Sequence, residues 1–441
     1  MKFSQSTLLA ILASVISVEA GCTQDGGNYY CSSTNKVTYQ NVGYSGSYKD
    51  VTNMDESSGK CTQKSQSFSG NLSPLDEELS VHFRGPLKLL KFGVYYPSDG
   101  SNQKRDEQED CTTTLQHAHH KHKRATVEVT QTVLVDGNGN TVTSTATNEA
   151  SSAPEEESSE SPSTTKTGEQ NVSYTSGTET ASTSESSSSS SSSSDGGSVA
   201  SGDWERVAWY EPGSTDNVTF MNYYGGSGSG VWSGGFGNSI SYANKDASGG
   251  SSKAVALEET TIKSNVEYMI FSSQSCDDGD GCGYYRDGIP AYHGFGGNQK
   301  IFVFEFEMPS ANDDATINHD MPAIWLLNAK IPRTLQYGDA SCSCWKSGCG
   351  ELDAWEILSD GSDKLISHLH DGQGNDGTSN GGGGSQDYFD RPTSNSMKGA
   401  IVFSGEDISI LEVDDDFESS LSSSTVKNWI NKSGSTASVG N

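Results

Sequence analysis

The chain has 441 residues, of which 32% are hydrophobic and 49 are glycine. That length holds two or three domains, but the composition is too polar for one continuous globule, so part of the chain is linker. A formal net charge of -30 repels phosphate backbones and anionic membrane surfaces, which argues against nucleic-acid and peripheral-membrane binding; a neutral polysaccharide is acceptable, though the charge does not select it.

Lys2, the apolar run Leu8 to Val18 and the small-residue pattern Val18-Glu19-Ala20 before Gly21 read as a signal peptide over residues 1–20. No other stretch approaches the ~20 apolar residues of a spanning helix. Leu421 to Asn441 is polar, so neither a glycolipid-anchor signal nor a membrane anchor is expected. Secretion makes disulfides available. Cys22, Cys31, Cys61 and Cys111 lie early, and Cys276, Cys282, Cys342, Cys344 and Cys349 lie late. Sequence does not choose the pairings; the odd late cysteine is free or bridges to the early group. Cys342-x-Cys344 with Cys349 lacks a well-spaced fourth ligand for zinc.

Residues 21–124 read as a small, cysteine-containing, β-rich N-terminal domain. Val37–Tyr39, Leu79–Phe83 and Leu87–Tyr96 carry its β-formers. A His-rich basic patch, His117 to Arg124, ends in the dibasic pair Lys123-Arg124, a site for a secretory proprotein convertase cutting after Arg124. Residues 125–202 are rich in Ser, Thr and Glu, with the unbroken run Ser186–Ser194, and read as a disordered, glycosylated linker. Asp136-Gly-Asn138-Gly-Asn140 departs from a calcium loop at Thr141 and Thr147. No metal or cofactor is expected. Sequons at Asn71, Asn171, Asn217 and Asn431 accord with secretion.

Residues 203–441 carry the main domain. Short β-prone runs recur from Val218–Tyr224 to Ile408–Val413, separated by Gly, Asn, Asp and Ser, with Thr425–Ile430 as a short helical turn. This pattern predicts an all-β fold, an antiparallel β-sandwich or jelly roll.

The chemistry concentrates in Gly350-Glu351-Leu-Asp353-Ala-Trp355-Glu356. On a strand, Glu351 and Asp353 share a face, while strict alternation sends Glu356 to the other. One bulge at Ala354 or Trp355 brings Glu356 back. Crowded carboxyls raise at least one pKa and so set a protonated acid beside a carboxylate, the division of labour glycoside cleavage needs. Upstream, Trp325 in Met321–Asn328 is a sugar-stacking candidate, and Trp345 a second one. His368 and His370 share a face of the following strand and reach the cleft if that strand neighbours the acids. Tyr284, Tyr285, Tyr292 and His293 form a weaker cluster.

These residues resemble a known family. Gly350–Glu356 is similar to the bulged E-x-D-x-x-E motif of family 16 glycoside hydrolases, and Met321–Leu327 and Ile301–Pro309 are similar to the two strands before it. The resemblance implies a concanavalin A-like jelly roll that cleaves β-1,3-glucans and related polymers with retention. Val303–Pro309 lacks the basic residue often seen there, and Gly372–Ser385 has no counterpart. The whole architecture resembles the fungal target-of-SBF wall-protein family, described as endo-β-1,3-glucanase-like. It implies Glu351 as nucleophile, Asp353 as its assistant and Glu356 as acid/base, in a secreted protein acting on cell-wall β-glucan. A transglycosylase using the same residues and a non-catalytic wall glycoprotein are the alternatives.

Overall fold

Strict alternation accounts for the strand that organises the molecule. Leu79, Val81 and Phe83 alternate with Ser80, His82 and Arg84, so one face is apolar and the other polar. The computed structural model describes residues 21–98, 202–276, 281–374 and 381–439. Among them, fourteen strands matter here. They are β1 (Lys36–Gln40), β2 (Gly46–Asp55), β3 (Lys60–Phe68), β4 (Leu79–Arg84), β5 (Leu87–Pro97), β6 (Trp204–Glu211) and β7 (Thr219–Asn222). The others are β8 (Glu267–Phe271), β9 (Lys300–Glu307), β10 (Ala323–Asn328), β11 (Glu351–Glu356), β12 (Lys364–His370), β13 (Met397–Ser404) and β14 (Asp407–Glu412).

Twelve of these strands, with shorter ones, build two ten-stranded sheets packed face to face. The first runs β7-β8-β4-β10-β11-β12, extended by short strands at both ends; the second runs β6-β5-β9-β13-β14-β1. The named pairings are antiparallel, and Ser435–Ser438 adds to β1 in parallel. The all-β sandwich expected from the spacing of short strands is the fold.

One expectation needs correction. Residues 21–97 do not make a domain of their own. β4 lies between β8 and β10, and β5 between β6 and β9, so both are interior strands of the sheets that residues 202–439 build. The reason is their sequence. Leu79, Val81, Phe83, Leu87, Leu89, Phe92 and Val94 are buried in the common core with Phe302, Phe304, Leu352 and Trp355. Seven such side chains have no second layer to cover them within residues 21–97. The signal peptide, the His-rich patch, the dibasic pair and nearly all of the Ser/Thr-rich linker lie outside the described residues.

Two further pieces pack on the outer faces of the sheets, one on each. The polar hairpin β2–β3 belongs to neither sheet. Tyr48 and Phe68 of this hairpin pack with Trp325, Leu327 and Ile331. The bridge Cys61–Cys342 ties it to the loop before β11. Cys22–Cys31, Cys276–Cys282 and Cys344–Cys349 are also joined. Thus Cys342, Cys344 and Cys349 are disulfide-bonded and offer zinc no thiolate; Cys111 lies outside the described residues. On the outer side, the helix α1 (Ser423–Ile430) covers Ile301, Val303 and Val402 with Val426 and Trp429. Ser422 caps it by accepting from the Thr425 N–H.

Candidate active site

The acidic strand carries the bulge its composition calls for. Against β10, Asp353 pairs with Trp325 and Trp355 with Ile324, so Ala354 is the extra residue. Against β12 the register slips between Asp353, opposite His368, and Glu356, opposite Ile366. Ala354 and Trp355 both point inward and are fully buried. The indole sits among Phe304, Phe306 and Phe389 at ring separations of 5.6, 5.4 and 6.1 Å. Gly399 makes room for it, since a Cβ there would stand 2.6 Å from the ring. Without the bulge, Trp355 would turn to the polar face and Glu356 would enter this apolar layer unpaired, which is costly. Burying Trp355 therefore returns Glu356 to the face of Glu351 and Asp353.

Three rows of side chains cross that face. The first runs Glu267, Arg84, Ala323, Glu356; the second Met269, His82, Trp325, Asp353, His368; the third Ser80, Leu327, Glu351, His370. Arg84 Nη2 donates to Glu356 Oε1 at 3.1 Å, and its Nε donates to the Met321 carbonyl at 2.7 Å. Tyr337 donates to the Glu267 carboxylate at 2.9 Å. Trp345 Nε1 donates to Glu351 Oε2. His370 Nε2 stands 3.5 Å from Asp353 Oδ2, and its ring stacks on His368 at 5.0 Å.

Burial, then Asp353, pushes the Glu351 carboxyl up to about 8; the Trp345 N–H and His370 oppose this. Burial, then Glu356, raises Asp353 well above the carboxylate range, with Arg84 opposing. The pair therefore retains a proton near neutrality. His82 is fully enclosed; burial lowers it to about 3, so it stays a neutral imidazole hydrogen-bonded to Ser80 at 2.8 Å.

The raised carboxyls make a stability prediction. A folded chain that keeps a proton the unfolded chain has lost is destabilised as pH rises above the ordinary carboxylate range, and burial and crowding make the Glu351–Asp353 pair hold one. Glu351→Gln breaks up the pair and relieves that penalty. Thermal melting should show the variant about 2–4 °C above the wild type at pH 7, with the difference gone at pH 4.

The other expected site residues divide. His368 and His370 lie on the acidic face. Trp325 lies there too, but it is 5% exposed and its ring leans on His82 at 5.1 Å. It is a floor residue rather than an open platform. Trp345 is 38% exposed and is the aromatic surface beside the acids. Of the weaker cluster, His293 Nδ1 is hydrogen-bonded to the Glu78 carboxylate and Tyr284 accepts from the Met54 N–H, so both are used structurally. Ser80, His82 and Arg84 are site residues that the sequence reading passes over. Their signal is the period-two polar face of β4, hidden because β4 lies more than 200 residues from the acids in sequence.

Among the described residues, two groups have donor atoms within 4.8 Å of one another, as a metal ion requires: Glu351, Asp353 and His370, and Cys276, Cys282 and His293. The second has its sulfurs committed to a disulfide. In the first, the Glu351 carboxylate is already engaged by Trp345. What remains is two carboxyls whose burial and crowding favour the protonated form, a third held by arginine, and an aromatic edge.

Comparison with known proteins agrees with this architecture. The family described as "Cell wall protein YJL171C/Tos1, C-terminal" matches residues 202–429, and its N-terminal counterpart matches residues 35–97. A Candida albicans protein named "Probable circularly permuted 1,3-beta-glucanase TOS1" is 59% identical over 467 residues, covering 100% of both chains. A Saccharomyces cerevisiae protein of the same name is 53% identical and covers 99% of each. A Schizosaccharomyces pombe relative, also named a probable circularly permuted 1,3-beta-glucanase, is 43% identical over 94% of each. No solved structure matches. Both family segments contribute strands to the same two sheets, and the chain belongs to the YJL171C/Tos1 family of cell wall proteins.

Proposed function

We propose that this protein is a secreted cell-wall endo-β-1,3-glucanase that cleaves glucan with retention. The observation that carries this reading is the bulge at Ala354, which sets Glu351, Asp353 and Glu356 on one polar face. The names of the full-length relatives support the substrate, and the interior place of β4 and β5 accords with the permutation those names mention. The four disulfides among the described residues accord with secretion.

In this mechanism Glu351 attacks the anomeric carbon while its negative charge is stabilised by the Trp345 N–H. Asp353 keeps the shared proton and hydrogen-bonds the nucleophile. Glu356, oriented by Arg84, protonates the departing glycosidic oxygen and then activates water to release the glycosyl-enzyme. Glu351 approaches the α-face of the β-linked sugar and Glu356 lies beside its leaving oxygen, with Trp345 available for stacking.

The full secreted chain, incubated with linear β-1,3-glucan, should produce new reducing ends whose initial anomer is β by NMR. Products longer than the donor would assign transfer instead of hydrolysis, because the same intermediate accepts a sugar hydroxyl. Glucan binding with no new reducing ends and no change in chain length would sink the enzyme reading.

A further inference from the structure

Trp345 is exposed, yet its backbone is fixed from several sides. The bridge Cys344–Cys349 closes a loop of five residues' separation around it. Within that loop Gly348 takes φ 85° and donates to the Trp345 carbonyl at 3.0 Å, while Ser347 Oγ donates to the Cys344 carbonyl at 2.7 Å. The hairpin adds outside support. Lys49 N donates to Ser347 Oγ at 2.8 Å, Gln63 Nε2 donates to the Ser343 carbonyl at 3.1 Å, and Cys61 bridges to Cys342.

A bridge across five residues removes far less chain entropy than Cys61–Cys342, which spans 281. Its effect is local. It folds the chain back so that Trp345 meets Glu351, six residues on, and the indole N–H lands on Oε2. The indole nitrogen can only donate, so it favours a charged acceptor.

The groups around Glu351 leave that contact distinctive. Asp353 and Glu356 come from its own strand and His370 from β12; β10 presents Leu327, which does not titrate. The loop also carries Lys346, which is exposed. Asp353 has His370 at 3.5 Å but no indole.

We propose that the Trp345 N–H is the positioning group that selects Glu351, rather than Asp353, as the ionised carboxylate of the pair, and that the Cys344–Cys349 bridge holds it in place. This rests on the reading of Glu351 as nucleophile.

Trp345→Phe keeps the ring and removes the N–H. In the full secreted chain, with thermal melting as a folding check, kcat/KM on linear β-1,3-glucan is measured against pH. An epoxyalkyl β-oligoglucoside, which alkylates a nucleophilic carboxylate, supplies a second readout. The acid limb should move up by about one pH unit, with kcat and labelling at acidic pH down about tenfold, and KM nearly unchanged. Cys344→Ser with Cys349→Ser should reproduce the shift. A Trp345→Phe variant with the wild-type pH profile and only a raised KM would overturn the inference and leave Trp345 a sugar platform. A wild type inert to both glucan and label would overturn the functional reading itself.

Discussion

Glu351→Gln should reduce cleavage of linear β-1,3-glucan at least about a thousandfold, because no other carboxylate takes over covalent attack when the nucleophile is removed. Glu356→Gln should behave differently. Loss of a general acid costs about 10²–10⁴-fold on the natural substrate, but much less on an aryl glucoside whose phenolate leaves unprotonated. Azide separates the two roles further. With Glu356→Ala it intercepts the glycosyl-enzyme and yields the β-azide; with Glu351→Ala it replaces the nucleophile and yields the α-azide. NMR of the product distinguishes them. The opposite pairing of variant and product would exchange the two roles. The structural ground is the bulge: Glu351 and Glu356 reach one face, yet one is held by an indole N–H and the other by a guanidinium.

The second large effect concerns the chain as a whole. Residues 202–439 expressed alone should not fold. Removing β4 and β5 withdraws seven buried side chains, namely Leu79, Val81, Phe83, Leu87, Leu89, Phe92 and Val94. At about 1.5–3 kcal/mol each, that is about 10–20 kcal/mol, as much as or more than a domain's whole stability of about 5–15 kcal/mol. The fragment would also lack His82 and Arg84. A chain cut after Arg124 should fare quite differently. Both pieces keep their strands, and Cys61–Cys342 joins them covalently. The cut protein should therefore melt near the intact one and retain its activity. On denaturing gels it should run as one band without reductant and as two with it. Cooperative melting of residues 202–439 alone would show that β4 and β5 are dispensable, contrary to their central place in the sheets.

Much of this was legible from the sequence because it depends on local spacing. Alternation in Leu79–Arg84, the apolar runs of β9 and β10 and the Gly-rich turns imply an all-β sandwich wherever the strands end up. The acids of β11 imply paired-carboxyl chemistry from their spacing, and the cysteines imply bridges from their compartment. Tertiary structure decided everything that depends on what lies across a strand. It placed β4 beside β10, because an interior strand with an apolar face is stable only between neighbours that bury it. It chose Cys61–Cys342 among the open pairings, and it enclosed Trp325 while leaving Trp345 exposed. It also decided whether Glu356 faces the other acids. The sequence allowed either register; the phenylalanine-lined space behind β11, with Gly399 opposite, accepts an indole and would leave a carboxylate unpaired.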